Sequence, residues 1–162
     1  LDLDGADPGE VLAAIDRRFS ALTVDGHFAT AFLVRIDRRS GVLRYASAGH
    51  EPAYVVTVAD GRDAICLGAT GTVLGIDSSI SLETHERAVG TGDTLVMLTD
   101  GAPESVSAAG ALLGRPPLRR VLVETEPGTG AEDVVTRLVN LCLAHRDPRK
   151  DQDDLTVAAL TL

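Results

Sequence analysis

The chain has 162 residues, of which 44% are hydrophobic, and 15 Lys and Arg stand against 24 Asp and Glu for a formal net charge of −9. That length suits a single domain with a real core. The acidic field argues against nucleic acid as a partner, and no apolar run reaches the length that would make a membrane one. Cys66 and Cys142 form no paired framework, which fits thiols in a reducing compartment, so the expected location is cytoplasmic. The start, Leu1-Asp2-Leu3-Asp4, lacks both a Met and the pattern of a signal peptide, and a fragment or trimmed chain is expected.

The first expected element is a helix. Val11, Leu12, Ile15, Phe19 and Leu22 recur at helical spacing behind Asp7-Pro8-Gly9-Glu10, in which Asp7 suits the N-cap and Pro8 the first helical position. Asp16, Arg17 and Arg18 fall on the outer side and are expected to be solvated. Residues 28–37 and Val42 to Ser47 are two β-favouring runs around Arg38-Arg39-Ser40-Gly41, the pattern of an antiparallel hairpin. Ala53 to Val58 and residues 64–67 continue what reads as a meander of antiparallel strands. Gly68 to Gly75 is glycine-rich but lacks the Lys-Ser/Thr ending of a P-loop, so a turned loop is expected there and not a nucleotide cradle. Residues 81–88 alternate as a strand with His85 exposed.

Leu95-Val96-Met97-Leu98-Thr99-Asp100-Gly101 has the form of a buried strand that delivers a carboxylate to its exposed end, although Asp-Gly after an apolar run is also an ordinary turn. A short helix is expected over 102–109, another over Leu118 to Glu124, and a long one over Ala131 to Ala144 with Val134, Val135, Leu138, Leu141 and Cys142 on one stripe. Cys142 and His145 have C-x-x-H spacing but too few partners for zinc. The chain closes on a strand that begins at the carboxylate pair Asp153-Asp154. Helix, antiparallel strands, helices and a last strand make an α+β domain. If the strands ending at Asp100 and starting at Asp153 are antiparallel neighbours, their acids converge at one rim, a donor set suited to Mg²⁺ or Mn²⁺.

Ala48-Gly49-His50-Glu51-Pro52, Leu74-Gly75-Ile76, Thr99-Asp100-Gly101 with Glu104, and Asp153-Asp154-Leu155-Thr156-Val157 resemble, in this order, motifs of the metal-dependent PPM-type Ser/Thr protein phosphatases, in the bacterial SpoIIE/RsbU-like branch. The helix at Asp7-Pro8-Gly9-Glu10-Val11-Leu12 is similar to one that precedes them in the family. The resemblance implies an antiparallel β-sandwich flanked by helices, with a two-metal Mn²⁺ or Mg²⁺ site at one end. It implies Asp100 and Asp153 as metal ligands, the adjacent Asp154 as a further candidate at the metals, and His50 as either a residue lining the active site or a structural histidine. It also implies hydrolysis of phosphoserine or phosphothreonine on a small regulatory protein, such as an anti-anti-sigma factor.

One departure stands out. The family's first two strands and its Asp-x-x-Gly-His-Gly turn have no counterpart before Pro8. Asp4-Gly5 and Asp25-Gly26-His27 sit in the wrong context to replace them. The expectation is one domain over 1–162 that lacks its first strands and first metal-binding turn, with an exposed sheet edge that favours homo-oligomers. The alternative is a non-catalytic regulatory or protein-binding domain on the same scaffold.

Overall fold

The structure, a computed structural model, describes residues 5–22, 26–58, 63–76, 80–126 and 128–162. Among the described residues, three helices and seven strands follow in the order α1 (Pro8–Leu22), β1 (Ala31–Asp37), β2 (Val42–Ala48), β3 (Ala53–Thr57), β4 (Asp63–Leu67), β5 (His85–Ala88), β6 (Thr94–Leu98), α2 (Arg115–Glu124), α3 (Ala131–His145) and β7 (Val157–Thr161). The α+β composition is as expected. The chain divides into two compact units, one of residues 1–50 and 68–89, the other of residues 51–67 and 90–162.

The first unit is α1 with the sheet β1-β2-β5. The expected hairpin forms, with Ala31 opposite Ala48 and Asp37 opposite Val42. Period-two alternation turns Ala31, Leu33, Ala46 and Ala48 to one face, where they pack with Leu12, Phe19, Leu74 and Leu82. Asp7 caps α1 as its position suggested, its Oδ1 accepting the Gly9 and Glu10 N–H groups at 3.0 and 3.3 Å. The helix is turned about its axis from the expected orientation. Asp16, expected in solvent, is fully buried, while Leu22 is exposed. The reason is a polar anchor: Asp16 Oδ1 accepts the Gly75 N–H at 2.8 Å and so draws that flank inward.

The second unit holds the sheet β4-β3-β6-β7 with α2 and α3. Tyr54, Val56, Ala64, Val96 and Leu98 project from one face into a core completed by Leu118 and Leu122 of α2 and Val134, Leu138 and Cys142 of α3. β3 and β6 are apolar at consecutive positions, and the residues they turn to this face meet the apolar stripes at helical spacing on α2 and α3.

Several boundaries differ from the sequence reading. β2 pairs with β5 rather than β3, and β3 joins β4 and β6, so the strands after the hairpin do not continue as a meander. Residues 102–109 form turns closed by a Val106–Leu112 bridge instead of a helix. The last strand starts at Val157, and Asp153 through Thr156 precede it outside the assigned strand. α2 begins at Arg115, with Pro116 and Pro117 in its first turn, where missing N–H groups cost nothing.

Candidate metal centre

β6 and β7 are antiparallel neighbours with Leu98 opposite Val157, so the C-terminal end of β6 lies beside the N-terminal end of β7. The pairing continues beyond the strands. The Thr99 N–H donates to the Thr156 carbonyl at 3.1 Å, Thr99 Oγ1 donates to the Asp154 carbonyl at 3.0 Å, and the Thr156 N–H returns to Thr99 Oγ1 at 3.0 Å. Gly101 then runs directly against the facing backbone. A Cβ there would overlap the Asp154 carbonyl oxygen and stand 3.2 Å from that of Asp153. The two acid-bearing segments are therefore in backbone contact.

Asp100, Asp153 and Asp154 are exposed on these segments. Asp100 Oδ1 accepts the Gly101 N–H at 3.0 Å, and Asp153 Oδ1 accepts the Asp154 N–H at 2.8 Å. Both bonds are local, each between a carboxylate and the N–H of the next residue. Asp154 plays a second part through its carbonyl, which receives the Thr99 hydroxyl.

Behind the turns, side chains tie residues 101–106 to 146–153. Ser105, fully buried, donates to the Gly101 carbonyl at 2.8 Å. Gln152 closes a two-way bridge with Val106, its Oε1 accepting the Val106 N–H and its Nε2 donating to the Val106 carbonyl, both at 2.9 Å. Arg146 reaches the same turns from the end of α3. Asp147 accepts the Arg149 guanidinium, which holds its carboxyl below the ordinary range. None of these supporting residues stands out in the sequence, where 147–152 resembles any polar connection.

The donor chemistry fits a hard divalent cation: exposed carboxylates on adjacent turns, with no soft ligand among them. Magnesium in particular is commonly held by one or two carboxylates together with water and phosphate oxygens. Among the described residues, no group of three or more His, Cys, Asp or Glu side chains is arranged to hold a metal. Asp4 and Asp25 lie outside the described residues.

His50 belongs to the first unit, with its Nδ1 2.9 Å from Thr30 Oγ1. The C-x-x-H pair forms no zinc site. Cys142 is buried with Sγ 3.8 Å from the Ala102 carbonyl, and burial pushes its thiol up, while His145 Nε2 lies 3.0 Å from the Ala111 carbonyl. Four backbone donors of the Gly68–Gly75 loop are engaged within the protein. Thr70 and Gly71 N–H groups donate to the Ser47 carbonyl, Leu74 pairs with Ala29, and Gly75 donates to Asp16, so none of these four is left for a phosphate.

A protein-family model described as Stage II sporulation protein E (SpoIIE) matches residues 1–162. The phosphoserine phosphatase RsbU of Bacillus subtilis (strain 168) is 29% identical over 156 residues, covering 96% of this chain and 45% of that protein. Among solved structures, the SiaA-PP2C domain of Pseudomonas aeruginosa superposes with a TM-score of 0.81 at 20% identity, covering 96% of this chain and 61% of that one. The manganese-presoaked phosphatase domain of SpoIIE from Bacillus subtilis superposes with a TM-score of 0.69 at 19% identity, covering 99% and 67%. The chain thus spans about half the length of RsbU and shares the fold of these phosphatase domains.

Proposed function

We infer, because this chain belongs to the Stage II sporulation protein E (SpoIIE) family of phosphatases, that it is part of a protein serine/threonine phosphatase domain whose cation centre includes Asp100 and Asp153. The observation that carries this reading is the backbone contact of the two acid-bearing turns at the joined ends of β6 and β7. A bound Mn²⁺ or Mg²⁺ would lower the pKa of a coordinated water and brace the phosphoryl oxygens, which removes the need for a protein nucleophile.

The chain's own residues then have defined tasks. Asp100 and Asp153 offer carboxylate oxygens, Thr99 fixes the spacing of their turns through its two hydroxyl hydrogen bonds, and Gly101 permits the close approach. Asp154 acts mainly through its carbonyl. The first metal-binding turn expected of the family would have to come from outside residues 1–162, and the substrate would be a phosphorylated regulatory protein such as an anti-anti-sigma factor. Two free thiols, Cys66 and Cys142, suit a cytoplasmic setting. Among the described residues, no helix is long and apolar enough to cross a membrane.

The test is Mn²⁺-dependent hydrolysis of a phosphoserine protein by this chain and by a version extended at its N-terminus. The expected result is turnover in the extended form that Asp100→Asn abolishes. Turnover unchanged by Asp100→Asn would overturn the assignment, and equal full activity in both forms would mean that the remaining ligands lie within residues 1–162. The second reading, a non-catalytic binding module, draws on the small number of acids gathered among the described residues. It predicts no turnover in either form.

A further inference from the structure

Arg146 follows α3 directly, and its backbone N–H donates to the Cys142 carbonyl at 3.0 Å, which fixes its root to the helix end. From there the guanidinium reaches three groups. Nη2 donates to the Gly101 carbonyl at 2.7 Å and to the Asp153 carbonyl at 2.7 Å, while Nε donates to Ser105 Oγ at 3.0 Å. Ser105 donates in turn to that same Gly101 carbonyl. One cation therefore grips the residue after Asp100 and Asp153 itself.

The task of such a group follows from charge. Two turns that each present a carboxylate repel one another, and a guanidinium between their backbones offsets that repulsion with charge-assisted hydrogen bonds. A planar fork can serve two carbonyls and a hydroxyl at once, whereas a lysine ammonium is a point charge without that fixed geometry. We propose that Arg146 is a positioning residue for the cation centre, holding the Asp100 and Asp153 turns together before any ion arrives. This rests on reading those aspartates as ligands.

The sign of the effect separates positioning from simple electrostatics. A positive charge near the site repels an incoming cation, so loss of the charge alone would tighten Mn²⁺ binding. Loss of the clamp would weaken it. The experiment is a titration of the full-length protein with Mn²⁺, read by electron paramagnetic resonance of the free ion and by calorimetry, with folded fraction checked by circular dichroism. Arg146→Met is expected to weaken binding by about tenfold, the range typical when a partner behind a metal ligand is removed. Arg146→Lys is expected to recover part of the loss, and Ser105→Ala to show a smaller one.

Asp100→Asn is the reference. If it weakens Mn²⁺ binding while Arg146→Met binds as tightly as wild type or more tightly, the clamp proposal fails and the ligand assignment stands. If Asp100→Asn changes nothing, the ligand assignment fails and takes the purpose of the clamp with it. Should Arg146→Met lower the folded fraction, Arg146→Lys decides, because it keeps the charge and alters only the fork; unchanged affinity in that variant overturns the proposal.

Discussion

Gly101 and Asp154 meet backbone to backbone: a side chain at residue 101 would occupy the space of the Asp154 carbonyl oxygen. That contact lets the Asp100 turn sit against the Asp153-Asp154 turn. It also explains why a residue without a Cβ stands there, since residue 101 is not among the glycines with positive φ. Gly101→Ala is expected to destabilise the protein by about 2 kcal/mol, as overpacking against immobile backbone does. Urea unfolding measures the loss, and Mn²⁺ affinity should fall along with it. A variant of wild-type stability would show that the two turns separate freely.

The N-terminus of α1 links stability to pH. The Thr84 hydroxyl donates to the Asp7 carboxylate, and with the Gly9 and Glu10 N–H groups it holds that carboxyl below its ordinary value of 3.8. A depressed folded pKa stabilises the protein above the unfolded value, and the contribution is lost as pH falls through the folded one. Asp7→Ala should cost about 1 kcal/mol at neutral pH, the usual worth of an N-cap. The gap between wild type and Asp7→Ala should begin to narrow below pH 3.8, where Asp7 of the unfolded chain becomes protonated, and close further as pH falls through the lower folded value. Denaturant melts at pH 7 and pH 3 check this, and a gap independent of pH would refute the charge-based account.

Asp16 is a buried acceptor on a helix otherwise packed with apolar residues. Its Oδ1 serves the Gly75 N–H, and Asp16→Ala would strand that donor. The expected loss is about 1–3 kcal/mol, the cost of an unsatisfied buried polar group. Asp16→Asn keeps a carbonyl acceptor and should lose less. Thermal and urea unfolding of the two variants give the comparison, and equal losses would mean that the Gly75 contact contributes nothing.

Glu51 and Arg115 form a bidentate pair at 2.7 and 2.8 Å, in which the Glu51 side chain is 5% exposed and that of Arg115 58%. The asymmetry matters. Arg115→Met leaves a carboxylate in a buried setting and should cost about 2 kcal/mol, while removing both charges in Glu51→Gln/Arg115→Met should recover part of that. A double-mutant cycle from urea unfolding supplies the coupling. Additive effects would contradict a coupled pair.

The elements most legible in the sequence were those whose residues carry their own instructions. Asp7 and Pro8 marked the start of α1, the run around Gly41 marked the first hairpin, and the α3 stripe marked its buried face. Strand partners were harder, because β3 carries the same apolar pattern whether it pairs with β2 or with β4 and β6. The orientation of α1 is not legible from spacing for a related reason. Helical spacing alone favoured Ile15 and Leu22 as inward residues, and only the Gly75 N–H supplied by a distant loop gives Asp16 a reason to be buried.

The candidate site divides in the same way. By itself the sequence determined the chemical types: carboxylates at Asp100, Asp153 and Asp154, a hydroxyl at Thr99, a glycine after the first acid, and the order of motifs that points to a phosphatase family. Only the tertiary structure decided that β6 and β7 are neighbours, that Gly101 touches the Asp154 carbonyl, and that Arg146 and Gln152 brace the turns from behind. The physical reason is that a side chain's chemistry is local, whereas its partners depend on contacts between segments that lie some fifty residues apart in the chain.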